Sequence, residues 1–230
     1  GRKVKVAVEC LYATGGVLVP KLFDDLGLEI VGSHCDPKPD FNNERPEPKG
    51  DNLKPVGKII LQEKADFGVG LDGDCDRSVI IDDKGREMNG SLSSAIFIEH
   101  LLPEAKSKNV VITIDCNAEL KEMVEKLGGE LHWSEVGHGF ISKEVAATKA
   151  VYGAEMSSHM WFSPLPFSDG FYCALKMAEL LSNQDKKLSA MHDAIAFAPM
   201  MKEYVECGNN EVEEKVKDAL VEKYSAEYPD

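Results

Sequence analysis

Hydrophobic positions in the first half of the chain follow two different spacings. Short β-branched or aromatic runs between turn residues predict strands at residues 4–8, 28–31, 67–71 and 79–81. Apolar residues at helical spacing predict helices at residues 17–26, 54–64 and 92–102. Gly27 is predicted to end the first of these helices and Pro103 the last. Strands that alternate with helices indicate one α/β unit.

The same alternation starts again in the second half. Strands are predicted at residues 110–114, 130–136 and 150–156, and a helix at residues 140–148. Asn117 and Asp169 are predicted N-caps of two further helices. Two successive α/β units explain this order better than one continuous sheet does. An amphipathic stripe at residues 211–224 predicts a last helix that no strand follows.

The charge balance limits the kinds of partner. The 230 residues carry 26 Lys and Arg against 40 Asp and Glu, a formal net charge of −14. A protein that binds nucleic acids or anionic membranes needs a basic face, so we expect neither as a partner. A small phosphorylated ligand remains compatible with the charge, because it needs only a few local hydrogen-bond donors or a metal ion. No apolar run approaches about 18 residues and the start shows no leader pattern, which predicts neither a membrane span nor a signal peptide and favours the cytoplasm.

The six cysteines are scattered among the predicted strands and helices and show no C-x-x-C spacing. That distribution favours reduced thiols over disulfides or a zinc site. Cys75 lies inside the aspartate-rich stretch described next, but alternation directs its side chain away from the carboxylates.

Three aspartates, Asp72, Asp74 and Asp76, occupy alternate positions between two predicted strands. Two carboxylates about 4 Å apart repel by about 4 kcal/mol at an effective dielectric of about 20, and a bound cation relieves that repulsion. An all-oxygen set of three favours Mg²⁺ over Ca²⁺, because positions remain for water and a phosphate oxygen. Arg77 would then lie close enough to bind that phosphate through two hydrogen bonds. An EF-hand is disfavoured because Arg77 stands where that loop needs glycine, and a solvated acidic turn remains the alternative.

Polar residues also end the strand predicted at 150–156. Glu155, Ser157 and His159 supply donors and acceptors suited to neighbouring sugar hydroxyls, although a solvent-facing strand end explains them equally well. His138 is a weaker candidate, since a single histidine is more often structural than catalytic. The chain has no G-x-G-x-x-G after a strand, no Walker loop and no G-x-S-x-G elbow, which argues against nucleotide and acyl-transfer chemistry.

Taken in order, these stretches resemble the α-D-phosphohexomutase family, which includes phosphoglucomutase and phosphomannomutase. D-G-D-C-D-R at residues 72–77 matches the family's magnesium loop. G-A-E-M-S-S-H at residues 153–159 is similar to its sugar-recognition motif, with Ser158 where glycine is common. V-G-H-G-F-I at residues 136–141 resembles V-G-H-S-F-I, and the proline-rich residues 41–53 resemble a connection of the family. The matches cover residues 1 to about 200.

The resemblance implies a fold of two consecutive α/β domains of the phosphohexomutase type, with mixed sheets covered by helices. We place the domains at residues 1–103 and 104–203 and assign residues 204–230 as a helical tail that begins an incomplete further domain. It further implies phosphoryl transfer between C1 and C6 of mannose or glucose phosphate through a bisphosphorylated sugar. The cofactors would be Mg²⁺ and an activating glucose 1,6-bisphosphate or mannose 1,6-bisphosphate.

By the same resemblance, Asp72, Asp74 and Asp76 would hold Mg²⁺, Arg77 and His138 would be catalytic, and Glu155, Ser157 and His159 would bind the sugar. The family's catalytic serine lies in a T-A-S-H-N-P-type loop that these 230 residues lack. Asp115 stands where some bacterial members have a lysine that contacts the sugar.

Other functions remain open at this point. A non-catalytic pair of domains that binds Mg²⁺ and a phosphosugar, or that completes another chain, is the main alternative. A haloacid-dehalogenase-type phosphatase with an aspartate nucleophile is disfavoured, because the residues after the second aspartate depart from that motif. Met156 favours mannose or glucose over glucosamine, since the glucosamine enzymes more often carry glutamine there.

Overall fold

A computed structural model describes residues 1–201, 206 and 208–225 of the chain. The chain divides into two compact units, residues 1–198 and residues 199–230. All the strands and the helices α1 to α7 given below belong to the first unit, and each unit is described by itself.

The first sheet has five strands in the order β2-β1-β3-β4-β5. The strands are β1 (Lys5–Glu9), β2 (Glu29–Ser33), β3 (Phe67–Leu71), β4 (Ser78–Ile81) and β5 (Glu87–Met88). β1 runs parallel to β2 and β3, whereas β4 is antiparallel to both β3 and β5. Its helices are α1 (Gly15–Asp25), α2 (Lys54–Glu63) and α3 (Gly90–Leu101).

The second sheet has four strands in the order β7-β6-β8-β9. They are β6 (Asn109–Thr113), β7 (Glu130–Ser134), β8 (Tyr152–Ala154) and β9 (Met160–Phe162), and only β9 is antiparallel to its neighbour. The helices are α4 (Glu119–Lys126), α5 (His138–Thr148), α6 (Gly170–Ser182) and the short α7 (Leu188–His192). Both sheets are therefore mixed, which confirms the predicted fold class.

The two halves repeat one topology. In each, a central strand is flanked by two parallel neighbours, and one of these neighbours turns back into an antiparallel strand. Residues 72–77 form that turn between β3 and β4, and residues 155–159 form it between β8 and β9. The aspartate-rich stretch and the second polar stretch are thus equivalent turns of a repeated fold.

Both sheets contribute residues to one large buried apolar cluster. Val6 and Val8 of β1 lie in the same buried cluster as Val110 and Ile112 of β6. Helix α6 packs on β4 of the first sheet and on β9 of the second. Burial of strand residues on both faces favours β-branched side chains, which explains the short apolar runs seen in the sequence. The shared core fixes the two equivalent turns relative to each other.

Helix α3 differs from the amphipathic helix that the sequence predicts. Ser91, Ser93 and Ser94 are as buried as the apolar residues, because α3 contacts β5, β8 and α4 at once. Its N-cap is Asn89, whose side chain accepts a hydrogen bond from the backbone N–H of Leu92.

Other local predictions had mixed outcomes. The predicted N-cap at Asp169 is confirmed, since its carboxylate accepts from the backbone N–H of Tyr172 at 3.0 Å. The predicted N-cap at Asn117 is wrong: the cap position is Ala118, and the Asn117 amide donates to the carbonyl of Ala198 instead. Strands β5 and β9 and helix α7 were not predicted, because runs of two to five residues give too little periodicity.

The second unit contains helix α8 (Asn210–Tyr224), capped by Asn209, which confirms the predicted helix. Its apolar stripe of Val212, Val216 and Leu220 is exposed. That this helix begins a further domain stays a prediction, as do the domain boundaries at residues 103 and 203. In the part of the chain that the structure describes, no helix combines the length and apolar character needed to cross a membrane.

Asp82 is fully buried at the turn after β4, and both oxygens of its carboxylate are hydrogen-bonded. Its carboxylate accepts from the backbone amides of Lys84 and Arg86, from the Arg86 guanidinium at 2.7 Å and from Nδ1 of His192 at 3.0 Å. Burial alone would raise the pKa of Asp82, but the hydrogen bonds from Arg86 and His192 lower it below its ordinary value.

We expect Asp82→Asn to lower the free energy of unfolding by about 2–3 kcal/mol at pH 7, because it leaves His192 without its carboxylate and Arg86 with only the more exposed carboxylate of Asp193. A lowered pKa stabilises the fold above the unfolded-state pKa of about 3.9, and that stabilisation is lost as pH falls through the folded-state pKa. Urea denaturation at pH 7 and at pH 3 should therefore show a difference between variant and wild type that shrinks in acid. An equal difference at both pH values would contradict this account of Asp82.

Candidate functional site

The turn between β3 and β4 brings three carboxylates together. Asp72, Asp74 and Asp76 each offer an oxygen, and these oxygens lie within 4.8 Å of one another. Asp72 is buried, Asp76 is half-buried and Asp74 is exposed. Cys75 adopts a left-handed φ of 67° and is itself buried, with its thiol 3.6 Å from the Thr14 hydroxyl. The sequence prediction that Cys75 faces away from the carboxylates agrees with this placement.

The donor set fits Mg²⁺. All three candidate ligands are carboxylate oxygens, which suits a hard cation, and a site open at Asp74 leaves positions for water and for a ligand oxygen. Arg77 pairs with Asp72 and His159 pairs with Asp76, and a bound cation would relieve the repulsion that remains among the three carboxylates.

Arg77 is held against the buried end of this turn. Its Nε donates to Asp72 at 2.6 Å and its backbone N–H donates to the same carboxylate at 3.1 Å. Burial would lower the pKa of Arg77, but the hydrogen bond to Asp72 keeps it above its ordinary value, so the guanidinium is permanently charged. Arg77 lines a groove of about 540 Å³ together with Arg45, Pro46 and Glu47 of the proline-rich connection. The predicted grip of Arg77 on a phosphate stays a prediction.

Glu155 is the buried centre of the turn between β8 and β9. One carboxylate oxygen accepts from the backbone N–H of Gly137 at 3.0 Å. The other accepts from the Ser157 hydroxyl at 3.0 Å and lies 2.7 Å from Nδ1 of His159. Burial alone would raise the pKa of Glu155, but the hydrogen bonds from His159 and Ser157 lower it, so Glu155 is ionised. The three residues predicted to bind sugar therefore form one hydrogen-bonded cluster.

His159 connects this cluster to the aspartates. Its Nε2 lies 3.1 Å from Asp76, while its Nδ1 contacts Glu155. Burial would lower the pKa of His159, but the hydrogen bond to Glu155 and the charges of Asp76 and Glu155 outweigh burial and raise it. A protonated imidazole donates from both nitrogens and so pairs with both carboxylates.

The two turns are also joined through their backbones. Arg77 and His159 form an antiparallel β-bridge, and the Ser78 N–H donates to the Ser158 carbonyl at 3.0 Å. The first residue of α3, Gly90, packs directly on the Glu155 backbone, and its N–H donates to the Met156 carbonyl at 3.3 Å. The aspartates and the Glu155 cluster are thus parts of one rigid site.

Ser158 has a left-handed φ of 71°, a conformation that favours glycine. The backbone bonds of Ser158 to Glu155 and Ser78 hold it there. The sequence motif that residues 153–159 resemble commonly has glycine at the position of Ser158. The left-handed backbone explains that preference, and Ser158 adopts the same conformation here.

His138 begins α5 beside this site. Its Nε2 lies 3.2 Å from the hydroxyl of Ser168, and its ring meets that of His159 edge-to-face at 5.5 Å between centroids. Trp161 is fully buried behind both histidines, at 5.0 Å from the His138 ring and 6.1 Å from the His159 ring.

Sequence reasoning missed Ser168 and Trp161. The apolar run of β9 at residues 160–162 was the available signal for Trp161, and nothing local marked Ser168. At the position of the family's lysine, Asp115 accepts a hydrogen bond from the Thr113 hydroxyl at 2.7 Å.

Two family models match the two parts of the chain that carry these turns. Residues 1–85 match "Phosphoglucomutase/phosphomannomutase, alpha/beta/alpha domain II". Residues 89–197 match "alpha/beta/alpha domain III" of the same family. The chain belongs to the phosphoglucomutase/phosphomannomutase family. It represents domains II and III, the aspartates lying in the first and the Glu155 cluster in the second, which confirms the resemblance found in the sequence.

Curated relatives carry mutase names. A probable phosphoglucosamine mutase of Methanosarcina barkeri is 29% identical over 221 residues, which are 94% of this chain and 50% of the relative. A phosphomannomutase/phosphoglucomutase of Pseudomonas aeruginosa is 29% identical over 189 residues, which are 81% of this chain and 41% of the relative. The chain spans about half the length of the curated relatives it matches.

Solved structures support the same assignment. A phosphoglucomutase/phosphomannomutase family protein from Burkholderia thailandensis superposes with a TM-score of 0.80 at 26% identity, covering 85% of this chain and 43% of the other. N-acetylphosphoglucosamine mutase from Aspergillus fumigatus, solved with GlcNAc-6P and magnesium, gives a TM-score of 0.64 at 20% identity, covering 86% and 51%. The second likeness shows the fold alone.

Proposed function

We propose that this chain forms the metal-binding and sugar-binding half of the active site of a hexose-phosphate mutase, which transfers a phosphoryl group between C1 and C6. The observation that carries the proposal is the contact of His159 with Asp76 on one side and Glu155 on the other. Phosphoryl transfer to a sugar hydroxyl is catalysed largely by positioning and charge neutralisation, so it needs a cation and hydroxyl-binding groups side by side. The joined turns would supply both, the cation through the three aspartates and the hydroxyl-binding groups through the Glu155 cluster.

Each residue has a role that follows from its placement. Asp72, Asp74 and Asp76 would hold Mg²⁺, which when bound would neutralise the negative charge on phosphoryl oxygens. Arg77 orients Asp72 through its hydrogen bonds, and it adds a fixed positive charge beside the groove.

The sugar would be held on the other side. The Glu155 carboxylate and the Ser157 hydroxyl would exchange their present mutual hydrogen bond for bonds to vicinal hydroxyls of the sugar. His159 orients Glu155, and His138, at the N-terminus of α5 beside His159, would hold or deliver a proton at its ring nitrogens. The buried Trp161 supports both histidine rings.

The phosphoryl group itself would come from a serine outside these 230 residues, because no T-A-S-H-N-P-type loop occurs among them. Relatives named for mannose, glucose and glucosamine phosphates support a hexose phosphate as substrate. We propose mannose or glucose 1- or 6-phosphate, with glucose 1,6-bisphosphate or mannose 1,6-bisphosphate as activator. The charge of −14 argues against nucleic acid or an anionic membrane as partner. We also propose a cytoplasmic location.

The proposal is tested by following mannose 1-phosphate and mannose 6-phosphate with ³¹P NMR, in the presence of Mg²⁺ and glucose 1,6-bisphosphate. We expect no conversion by residues 1–230 alone and conversion by the protein expressed from its complete gene. Conversion by residues 1–230 alone would overturn the serine assignment. No conversion of mannose, glucose, glucosamine or N-acetylglucosamine phosphates by the complete protein would favour the non-catalytic binding pair.

A further inference from the structure

Two cysteines meet beside the first sheet, outside the candidate site. Cys10 directly follows β1 and Cys35 lies two residues beyond β2. Their Sγ atoms are 3.0 Å apart. A disulfide bond is about 2.05 Å long, so covalent closure needs a movement of only about 1 Å.

Close backbone contacts hold the pair in place. The Cys10 N–H donates to the Ser33 carbonyl at 3.0 Å, which ties the ends of the two strands together. A Cβ added at Gly16 would lie 2.4 Å from the Cys35 carbonyl oxygen, and one added at Gly32 would lie 2.9 Å from the Cys35 sulfur. Gly16 therefore packs on the backbone of Cys35 and Gly32 packs on its sulfur, and these two close contacts hold Cys35 beside Cys10.

The two thiols differ in access and in acidity. Cys10 is fully buried, whereas Cys35 is only partly buried and so can meet a small solute. The hydrogen bond from Cys10 lowers the pKa of Cys35 and raises that of Cys10. Among the described cysteines the other shifts are upward: burial raises the pKa of Cys75, that of Cys116 to about 11 and that of Cys173 to about 12. Cys207 lies outside the described residues.

We propose that Cys10 and Cys35 form a dithiol–disulfide redox site that reacts with hydroperoxides. The Cys35 thiolate attacks one peroxide oxygen and the O–O bond breaks. The other oxygen leaves as hydroxide, takes up a proton and becomes water, and Cys35 becomes a sulfenic acid. The Cys10 sulfur then attacks the Cys35 sulfur, the S–O bond breaks and a second water leaves with the Cys10 proton. Two thiols are oxidised by two electrons, and one hydrogen peroxide is reduced to two waters.

The segment that follows Cys10 contacts the turn that carries the three aspartates. Cys10 begins the segment that leads to Thr14, whose hydroxyl donates to the Gly73 carbonyl at 2.7 Å. Gly15 lies against both Cys75 and Cys10, because a Cβ there would be 3.1 Å from one sulfur and 3.8 Å from the other. A disulfide would therefore fix the segment that supports the aspartates.

The test is controlled oxidation of residues 1–230 with hydrogen peroxide, followed by alkylation of the remaining thiols and peptide mass spectrometry. We expect Cys35 to be oxidised about tenfold faster than Cys116, because the thiolate is the reactive form. We also expect a Cys10–Cys35 linked peptide that dithiothreitol separates. Oxidation spread evenly over the cysteines, or Cys35 linked to Cys75 in place of Cys10, would overturn the proposal.

Variants separate the roles of the two thiols. Cys10→Ala should leave Cys35 as a sulfenic acid that dimedone labels, whereas Cys35→Ala should leave Cys10 unoxidised at the same peroxide dose. Cys173→Ala, which removes a buried thiol elsewhere in the core, should form the Cys10–Cys35 link at the wild-type rate. Oxidation of Cys10 in Cys35→Ala at the wild-type rate would contradict the order of attack. The linked peptide in the wild-type chain decides the proposal even if a variant does not fold.

Discussion

Gly90→Ala is expected to lower the free energy of unfolding by about 2–3 kcal/mol and to weaken hexose-phosphate binding by about tenfold. An alanine Cβ at this position would lie 2.0 Å from the Glu155 carbonyl oxygen and 2.9 Å from the Met156 Cα. These neighbours are backbone atoms, so no side chain can rotate to make room. Either α3 or the turn between β8 and β9 must move, and Glu155 moves with that turn. Urea denaturation and calorimetric titration with glucose 1,6-bisphosphate measure the two effects.

Gly57→Ala is the matched control. Gly57 lies inside α2, where an added Cβ would meet its nearest neighbour, the Gly85 carbonyl oxygen, at an ordinary 3.5 Å. Alanine favours the helix interior by up to about 1 kcal/mol over glycine, so this variant should be at least as stable as wild type and bind hexose phosphate normally. Equal losses in both variants would show that Gly90 has no special contact with the turn between β8 and β9.

Asp74→Asn is expected to weaken Mg²⁺ binding by about 100-fold, or about 2.7 kcal/mol. Asparagine keeps the shape of the side chain but removes the charge of the most exposed of the three carboxylates. The same change relieves repulsion from Asp72 and Asp76, so the metal-free variant should be slightly more stable than wild type. Calorimetric titration with MgCl₂ and urea denaturation in EDTA give the two measurements.

Opposite effects on metal binding and on stability distinguish a metal ligand from a structural aspartate. Asp25→Asn is the control, because it removes the same charge at an exposed position of α1, where Asp25 pairs with Lys21. This variant should leave the affinity for Mg²⁺ unchanged. If Asp74→Asn and Asp25→Asn bind Mg²⁺ equally well, the three aspartates are a solvated acidic turn.

The fold class and the three aspartates could be predicted because their signals are local. Short apolar runs mark strands of both mixed sheets, and alternation along the turn placed Cys75 opposite the carboxylates. The grouping of Glu155, Ser157 and His159 was also within reach, because the three residues lie on one turn.

The features that could not be predicted depend on contacts between residues that lie far apart in the sequence. The pairing of Asp76 with His159 joins residues 83 positions apart, and no periodicity encodes it. Helix α3 was predicted to be amphipathic from the helical spacing of its apolar residues, but contacts with β5, β8 and α4 bury its serines as well. The Cys10–Cys35 contact arises only when β1 and β2 pair in their observed register.

The central claim is that the Mg²⁺ site and the sugar site are one site. It is tested most directly by calorimetric titration of residues 1–230 with glucose 1,6-bisphosphate, once in about 5 mM Mg²⁺ and once in EDTA. If the two sites are linked through His159, a ligand bound at one changes the affinity of the other. We therefore predict that Mg²⁺ tightens bisphosphate binding by about tenfold or more, and that the bisphosphate tightens Mg²⁺ binding by the same factor. Equal bisphosphate affinity in Mg²⁺ and in EDTA, or no binding in either, would contradict it.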